Sequence, residues 1–319
     1  MKPGTMLRTA CLGLAVALAA CTSSSGNASS PAAGSAEPHG RVISVGSFDF
    51  PESALLAEIY GQALAAARFP VRILPNLGPR EVVDPALMDG LLQVVPEYAG
   101  SALEFFSLGR LSATANARAA NTALAGSVAG RGLVAGRPAP AQDANAIVVT
   151  AATAAGHRLR SIADLAKVAP GLVFGGPPEC PGRAYCLPGL TRVYGLRFKA
   201  FTPLDAGGPL TLQALAAGYI GAALLFTTDP NISARHLVVL ADDRGLQPAE
   251  NITPLVRRDA LARYGPRLLA TLNTVSALLD TGTLRALDAR VEIAGQNARL
   301  VAGHWLRAHG LMPGGGEAH

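Results

Sequence analysis

From residue 41 onward, short β-branched runs alternate with longer stretches of helical periodicity. Residues 42–45 read Val-Ile-Ser-Val before Gly46 and predict a strand. Pro51 then opens a helix, because its missing N–H would be unpaired in a first turn anyway. Ala54, Leu55, Ile59 and Leu64 carry that helix to about Phe69. The same reading predicts a strand at 71–74, a helix at 80–88 closed by Gly90, a strand at 92–95 and a helix at 100–106. After a break the alternation restarts, with strand 146–150, helix 162–167, strand 172–174, helices 188–194 and 210–217, and strands 222–226 and 237–240. A strand at 251–256 follows, and 259–308 reads as nearly all helical, punctuated by Gly282 and Gly303. Strand–helix alternation is the pattern of a parallel sheet built from βαβ units. Two such α/β units predict two lobes with a cleft between them.

The first 40 residues have a different character. Lys2 and Arg8 precede an apolar stretch from Ala10 to Leu18, which makes a secretory signal over 1–20. Leu18-Ala19-Ala20-Cys21 resembles the bacterial lipobox, in which the thiol is acylated and becomes the new N-terminus. The alternative is an ordinary signal peptide with an incidental cysteine. The tether at 21–40, rich in Ser, Gly, Ala and Pro, favours the lipid anchor and predicts disorder there. The expected location is extracytoplasmic, lipid-anchored to the cell membrane through Cys21. No later run approaches the ~20 apolar residues of a membrane helix. The longest, 214–226, is interrupted by Gly218 and Gly221.

Half of the 319 residues are hydrophobic and 15% are charged, enough for a sizeable core. The net charge of +5 is spread thinly, without the aromatic–basic interleaving of a nucleic-acid surface. Of four cysteines, Cys11 leaves with the leader and Cys21 takes lipid, leaving Cys180 and Cys186. Five residues rich in Pro and Gly separate them, so a disulfide-closed loop is expected in an oxidising compartment. Two cysteines without clustered histidine supply too few ligands for a metal, and no cofactor is expected. The six histidines are scattered, and no nucleophile elbow, metalloprotease helix, Walker loop or dinucleotide fingerprint occurs. The chain is expected not to be an enzyme.

Several blocks resemble one family in order and spacing. They include Val45-Gly46-Ser47-Phe48-Asp49-Phe50-Pro51-Glu52-Ser53, Leu77-Gly78-Pro79-Arg80-Glu81-Val82-Val83 and Pro96-Glu97-Tyr98-Ala99-Gly100-Ser101. Asp143-Ala144-Asn145-Ala146, Gly175-Gly176-Pro177-Pro178, Pro188-Gly189-Leu190, Phe226-Thr227-Thr228-Asp229 and Glu250-Asn251-Ile252-Thr253-Pro254 follow. Together they resemble the osmoprotectant-binding proteins of ABC importers, the glycine betaine, carnitine and choline binders of the OpuAC or ProX type. The resemblance covers Arg41 to about Arg307. It implies a two-lobed periplasmic-binding-protein fold (type II-like), each lobe a βαβ-built sheet flanked by helices. It also implies crossings between lobes near 145–150 and 247–253. Lobe 1 would be 41–147 with 249–319, and lobe 2 would be 148–248. The implied partners are a quaternary ammonium or related solute and an ABC permease in the membrane.

A quaternary ammonium has no N–H to donate, so aromatic faces must select it. Any carboxylate it carries wants an Arg or a helix N-terminus. Phe48, Phe50, Tyr98, Tyr185 and Phe226 are the candidate rings, with Thr227 and Thr228 beside Phe226. Arg80 is the candidate anion clamp, although it also offers an ion pair to Glu97. Tyr185 is expected to be the most exposed ring, and Asp229 to cap the turn at Pro230. Relatives commonly carry an acid and a further tyrosine where this chain has Gln93 and Val95. That departure keeps open a larger aromatic or sulfur-containing solute. A tethered extracellular hydrolase is the alternative of a different class.

Overall fold

The computed structural model describes residues 42–111 and 114–313, so the expected leader, tether and Cys21 lie outside the described residues. The chain begins with β1 (Ile43–Gly46), α1 (Pro51–Ala66), β2 (Val71–Leu74), α2 (Arg80–Met88), β3 (Val94–Tyr98) and α3 (Ala99–Ser107). Next come α4 (Ala117–Ala129) and β4 (Leu133–Ala135), neither of which the hydrophobic pattern had marked. A second set comprises β5 (Asn145–Thr150), α5 (Ala151–His157), β6 (Val173–Gly176), α6 (Leu187–Tyr194), β7 (Ala200–Pro203) and α7 (Pro209–Ala216). It ends with β8 (Ala222–Phe226), α8 (Asn231–Ala234) and β9 (Leu237–Val239). The chain then returns through β10 (Ile252–Arg257) to α9 (Arg258–Tyr264), α10 (Pro266–Leu278), α11 (Thr281–Asp288) and α12 (Ala298–Ala308).

Two five-stranded sheets result, ordered β2-β1-β3-β10-β4 and β7-β6-β8-β5-β9. They are mixed rather than wholly parallel as the alternation suggested. β1 runs parallel to β2 and β3, and β6 runs parallel to β7 and β8. The strand that enters each sheet from the other lobe, β10 or β5, runs antiparallel to both neighbours. A strand arriving from elsewhere needs no helical crossover, so nothing enforces the parallel direction. β5 pairs with β8 from Asn145 onward, so the whole strand belongs to the second sheet. The chain therefore passes between lobes just before it. The two crossing segments lie side by side. Gln142 and Asn251 bridge antiparallel, and Asp143 N–H donates to the Glu250 carbonyl at 3.1 Å.

β3 begins later than predicted and runs through Pro96. Pro96 sits opposite Pro254 of β10, where neither is asked for an N–H by the other. β1 meets β3 only at Val45–Val94, so no donor is missed on the other side. Each core follows from the strand period. Ile147 and Val149 face one layer of the second lobe while Ala146 and Val148 face the other, as an unbroken apolar strand buried on both faces requires. In the first lobe the C-terminal helices close the core over α1. Leu272, Val275, Val301 and Trp305 are buried there, and the Tyr60 hydroxyl meets Ser276 Oγ at 2.9 Å. No helix among the described residues is long and apolar enough to cross a membrane.

Candidate functional site

The loop after β1 carries Phe48, held because its N–H donates to Ser53 Oγ in the first turn of α1 at 2.9 Å. Phe50 is the residue before Pro51 and adopts an extended backbone, as a pre-proline residue must. Tyr98 closes β3 and immediately precedes α3. Phe226 closes β8 in the other lobe. These four rings converge in one cleft between the lobes. Phe48 lies 6.0 Å from Phe50 and 6.4 Å from Tyr98 between centroids, and Phe50 lies 5.9 Å from Tyr98. Phe50 and Phe226 stack across the cleft at 5.2 Å. Asp49, Glu81, Glu104, Asp143, Glu179 and Glu250 line the same space.

Tyr185 also lines it, but not as the exposed ring expected. The Cys180–Cys186 bridge (Cα–Cα 5.3 Å) draws its loop into the second-lobe core, and only 9% of Tyr185 remains exposed. The Tyr185 carbonyl accepts from Asn145 and Gln247, which ties the loop to both crossing segments. Gly189 lets this loop sit flat on α6, since a Cβ there would run into the Ala184 carbonyl and Leu246. Gly189→Ala should therefore cost about 1–3 kcal/mol through overpacking. A thermal melt unchanged within a degree would contradict that.

Arg80 does not offer its fork to the cleft as an anion clamp. Its Nε and Nη2 donate to Glu97 Oε1 and Oε2 at 2.7 and 2.9 Å, the ion pair that the sequence also allowed. The guanidinium lies 5.0 Å from the Phe48 ring centroid. Burial alone would lower the Arg80 guanidinium, but the Glu97 carboxylate overrides that and holds it above its ordinary value. Asp84 is buried beside this pair, and neither of its oxygens meets a hydrogen-bond donor among the described residues. Burial first, then the Glu97 charge, raises the Asp84 carboxyl well above the usual range.

Thr228 lines a smaller cavity beside the cleft with Phe50, Asp143 and Phe226, and both threonines bond to the junction beneath. Thr227 Oγ1 accepts from Ala144 N–H and donates to Asp143. Thr228 Oγ1 donates to Glu52 Oε2 at 2.5 Å, and its N–H donates to Asp143 Oδ1 at 3.0 Å. Asp229 caps its turn as expected, accepting from Asn231 N–H at 2.8 Å. Gln93 and Val95 also lie away from the cleft. Gln93 bonds Ser44 N–H and the Gly90 carbonyl, and Val95 is buried in the first core. Their departure from the usual residues leaves the ring cluster intact.

Residue-by-residue reading missed a set of buried carboxyls. Glu52 accepts from the Tyr98 hydroxyl at 2.7 Å as well as from Thr228. Asp143 and Asp288 stand close to it, and burial raises all three carboxyls. Glu250 accepts from Gly100 N–H, Ser101 N–H and Ser101 Oγ at 2.9, 3.0 and 2.6 Å, and burial pushes it up to about 7. The only signal in the sequence was an isolated acid beside an apolar run. No group of three or more His, Cys, Asp or Glu among the described residues is placed to hold a metal.

The sequence model of the substrate-binding domain of ABC-type glycine betaine transport systems matches residues 41–308. The chain belongs to this family. It is 31% identical over 280 residues to the glycine betaine-binding protein YehZ of Escherichia coli, covering 84% of this chain and 90% of that one. It is 30% identical over 284 residues to a glycine-betaine-binding protein of Pseudomonas aeruginosa, covering 86% and 89%. A crystal structure described as a glycine betaine/carnitine/choline ABC transporter superposes with a TM-score of 0.65 at 21% identity, over 84% of this chain and 99% of that one. Apo YehZ superposes at 0.60 with 30% identity, over 85% and 99%. These neighbours share the two-lobed periplasmic-binding-protein fold. Members of the family are extracytoplasmic substrate-binding transport proteins, so the hydrolase alternative falls.

Proposed function

We propose that this chain is a lipid-anchored receptor that traps a quaternary ammonium solute between its lobes and delivers it to an ABC permease. The observation that carries this reading is the convergence of Phe48, Phe50 and Tyr98 from one lobe with Phe226 from the other, beside several carboxylates. Ring faces attract an alkylated ammonium that has no N–H, and nearby acids add long-range attraction. The cage is shared between lobes, so bound cation favours the closed arrangement. The adjoining crossing segments around 142–145 and 247–251 form the hinge. Leu18-Ala19-Ala20-Cys21 supplies the anchor, with lobe 1 formed by the segments on either side of lobe 2.

Calorimetric titration with glycine betaine, choline and carnitine tests the reading. At least one should bind, and Phe226→Ala should weaken that binding by about 2- to 30-fold, the range of a single cation–π contact. Phe226 is half-buried at a strand end, so the variant should still fold. If no quaternary ammonium binds the folded wild type, the reading fails while the family assignment stands.

A further inference from the structure

Three kinds of group recognise a carboxylate on a small ligand: arginine forks, the amides of a helix N-terminus and hydroxyl donors. The cleft contains all three, and carboxylates of the protein sit on both of its arginines, on the N-terminus of α3 and on the Ser101 hydroxyl. Arg80 gives Nε and Nη2 to Glu97. Arg183, carried on the disulfide loop, gives Nε and Nη2 across the cleft to Glu81 at 3.3 and 2.9 Å. The N-terminus of the nine-residue helix α3 gives Gly100 N–H, Ser101 N–H and Ser101 Oγ to Glu250.

The approach of Glu250 is built into the backbone. A Cβ on Gly100 would collide with Pro248 and crowd the Ala249 carbonyl at 3.0 Å, so glycine there allows the returning segment to press on α3. Glu250 is 3% exposed and lines the cleft together with Ser101 and Glu104. Two arginines and six carboxyl groups line this space, and both arginines are paired. An entering carboxylate that used the α3 amides or the paired edge of either arginine would have to displace one of these internal acids. A hydroxyl at the same place could instead donate to an acid.

We infer that the cleft discriminates against the carboxylate of a zwitterionic ligand and favours a quaternary cation whose far end donates a hydrogen bond, with Glu250 as a specificity-determining residue. The inference rests on the quaternary-ammonium reading of the cleft. It sets this chain apart from relatives whose names specify glycine betaine.

The test is calorimetric titration of wild type, Glu250→Gln and Glu250→Ala with choline, glycine betaine and tetramethylammonium. Wild type should bind choline at least tenfold more tightly than glycine betaine. Glu250→Gln removes the ionisable carboxyl but keeps an acceptor on the helix amides, and Glu250→Ala uncovers them. Either folded variant should shrink the choline preference at least fivefold, chiefly by improving glycine betaine. Thermal melts identify which variants are folded, and Glu250→Gln serves if the alanine variant is not. Equal or tighter binding of glycine betaine by wild type, or an unchanged preference in the variants, overturns the inference and leaves the quaternary-ammonium reading standing. If none of the three cations binds wild type, that underlying reading is lost as well.

Discussion

Replacing Arg80 with alanine should destabilise the protein by about 3–5 kcal/mol at pH 8, the usual cost of stranding one member of a buried ion pair. Glu97 is fully buried, and its charge is balanced by the two-pronged contact with Arg80. Burial, then the Glu97 charge, raises the neighbouring Asp84 carboxyl, which favours its neutral form. Without the guanidinium, Glu97 is left in a dry site with its ion-pair partner gone. The deficit of Arg80→Ala is read from urea unfolding at pH 8. Arg80→Lys restores charge without the fork and should recover only part of the loss. A deficit below 1 kcal/mol at pH 8 would show that the pair contributes little.

The wild-type protein should be more stable at pH 6 than at pH 8.5 by roughly 2–4 kcal/mol. The cause is the set of buried carboxyls that joins the lobes. Glu52 comes from α1, Asp143 from the crossing segment, Asp288 from α11 and Glu292 from the turn after it, while Asp229 and Asn231 face them from lobe 2. Tyr98 and Thr228 donate to Glu52, and Arg285 donates to the Thr227 carbonyl at 3.1 Å. Burial raises Glu292 to about 8 and Glu250 to about 7, and raises Asp143 and Asp288 well above the ordinary range. A raised carboxyl binds its proton more tightly when folded. Its contribution is complete below the ordinary carboxyl range and disappears as pH climbs through about 7 to 8. Arg235 offsets part of the charge near Asp229. Urea midpoints measured across pH 5.5–8.5 should fall steadily, and a rising series would refute the assignment of these protons.

How much of this was legible beforehand varied by element. β2, α2 and β8 match the pattern residue for residue, because punctuating residues such as Gly90 bracket a clear period. α4 was not read, since Ala117–Ala129 is mostly Ala, Asn, Thr and Gly and carries only Ala120, Leu124 and Val128 to the core. β7 was missed because Ala200–Pro203 is an edge strand with no buried residue. The disulfide and the Arg80–Glu97 pair could be anticipated from residue types and spacing. The roles of Thr227 and Thr228 could not, because they depend on Glu52 and Asp143, far away in the chain.

The order of apolar and polar residues determined two α/β units, their principal strands and helices, and the family blocks at their ends. Those features come from local periodicity and turn chemistry, which need no knowledge of distant partners. Tertiary structure alone decided which side chains meet. It turned the crossing strands antiparallel, stacked Phe50 on Phe226, drew Tyr185 inward and seated Glu250 on the amides of α3. Each of these depends on contacts between residues tens to hundreds of positions apart, where burial and charge balance, rather than local propensity, set the outcome.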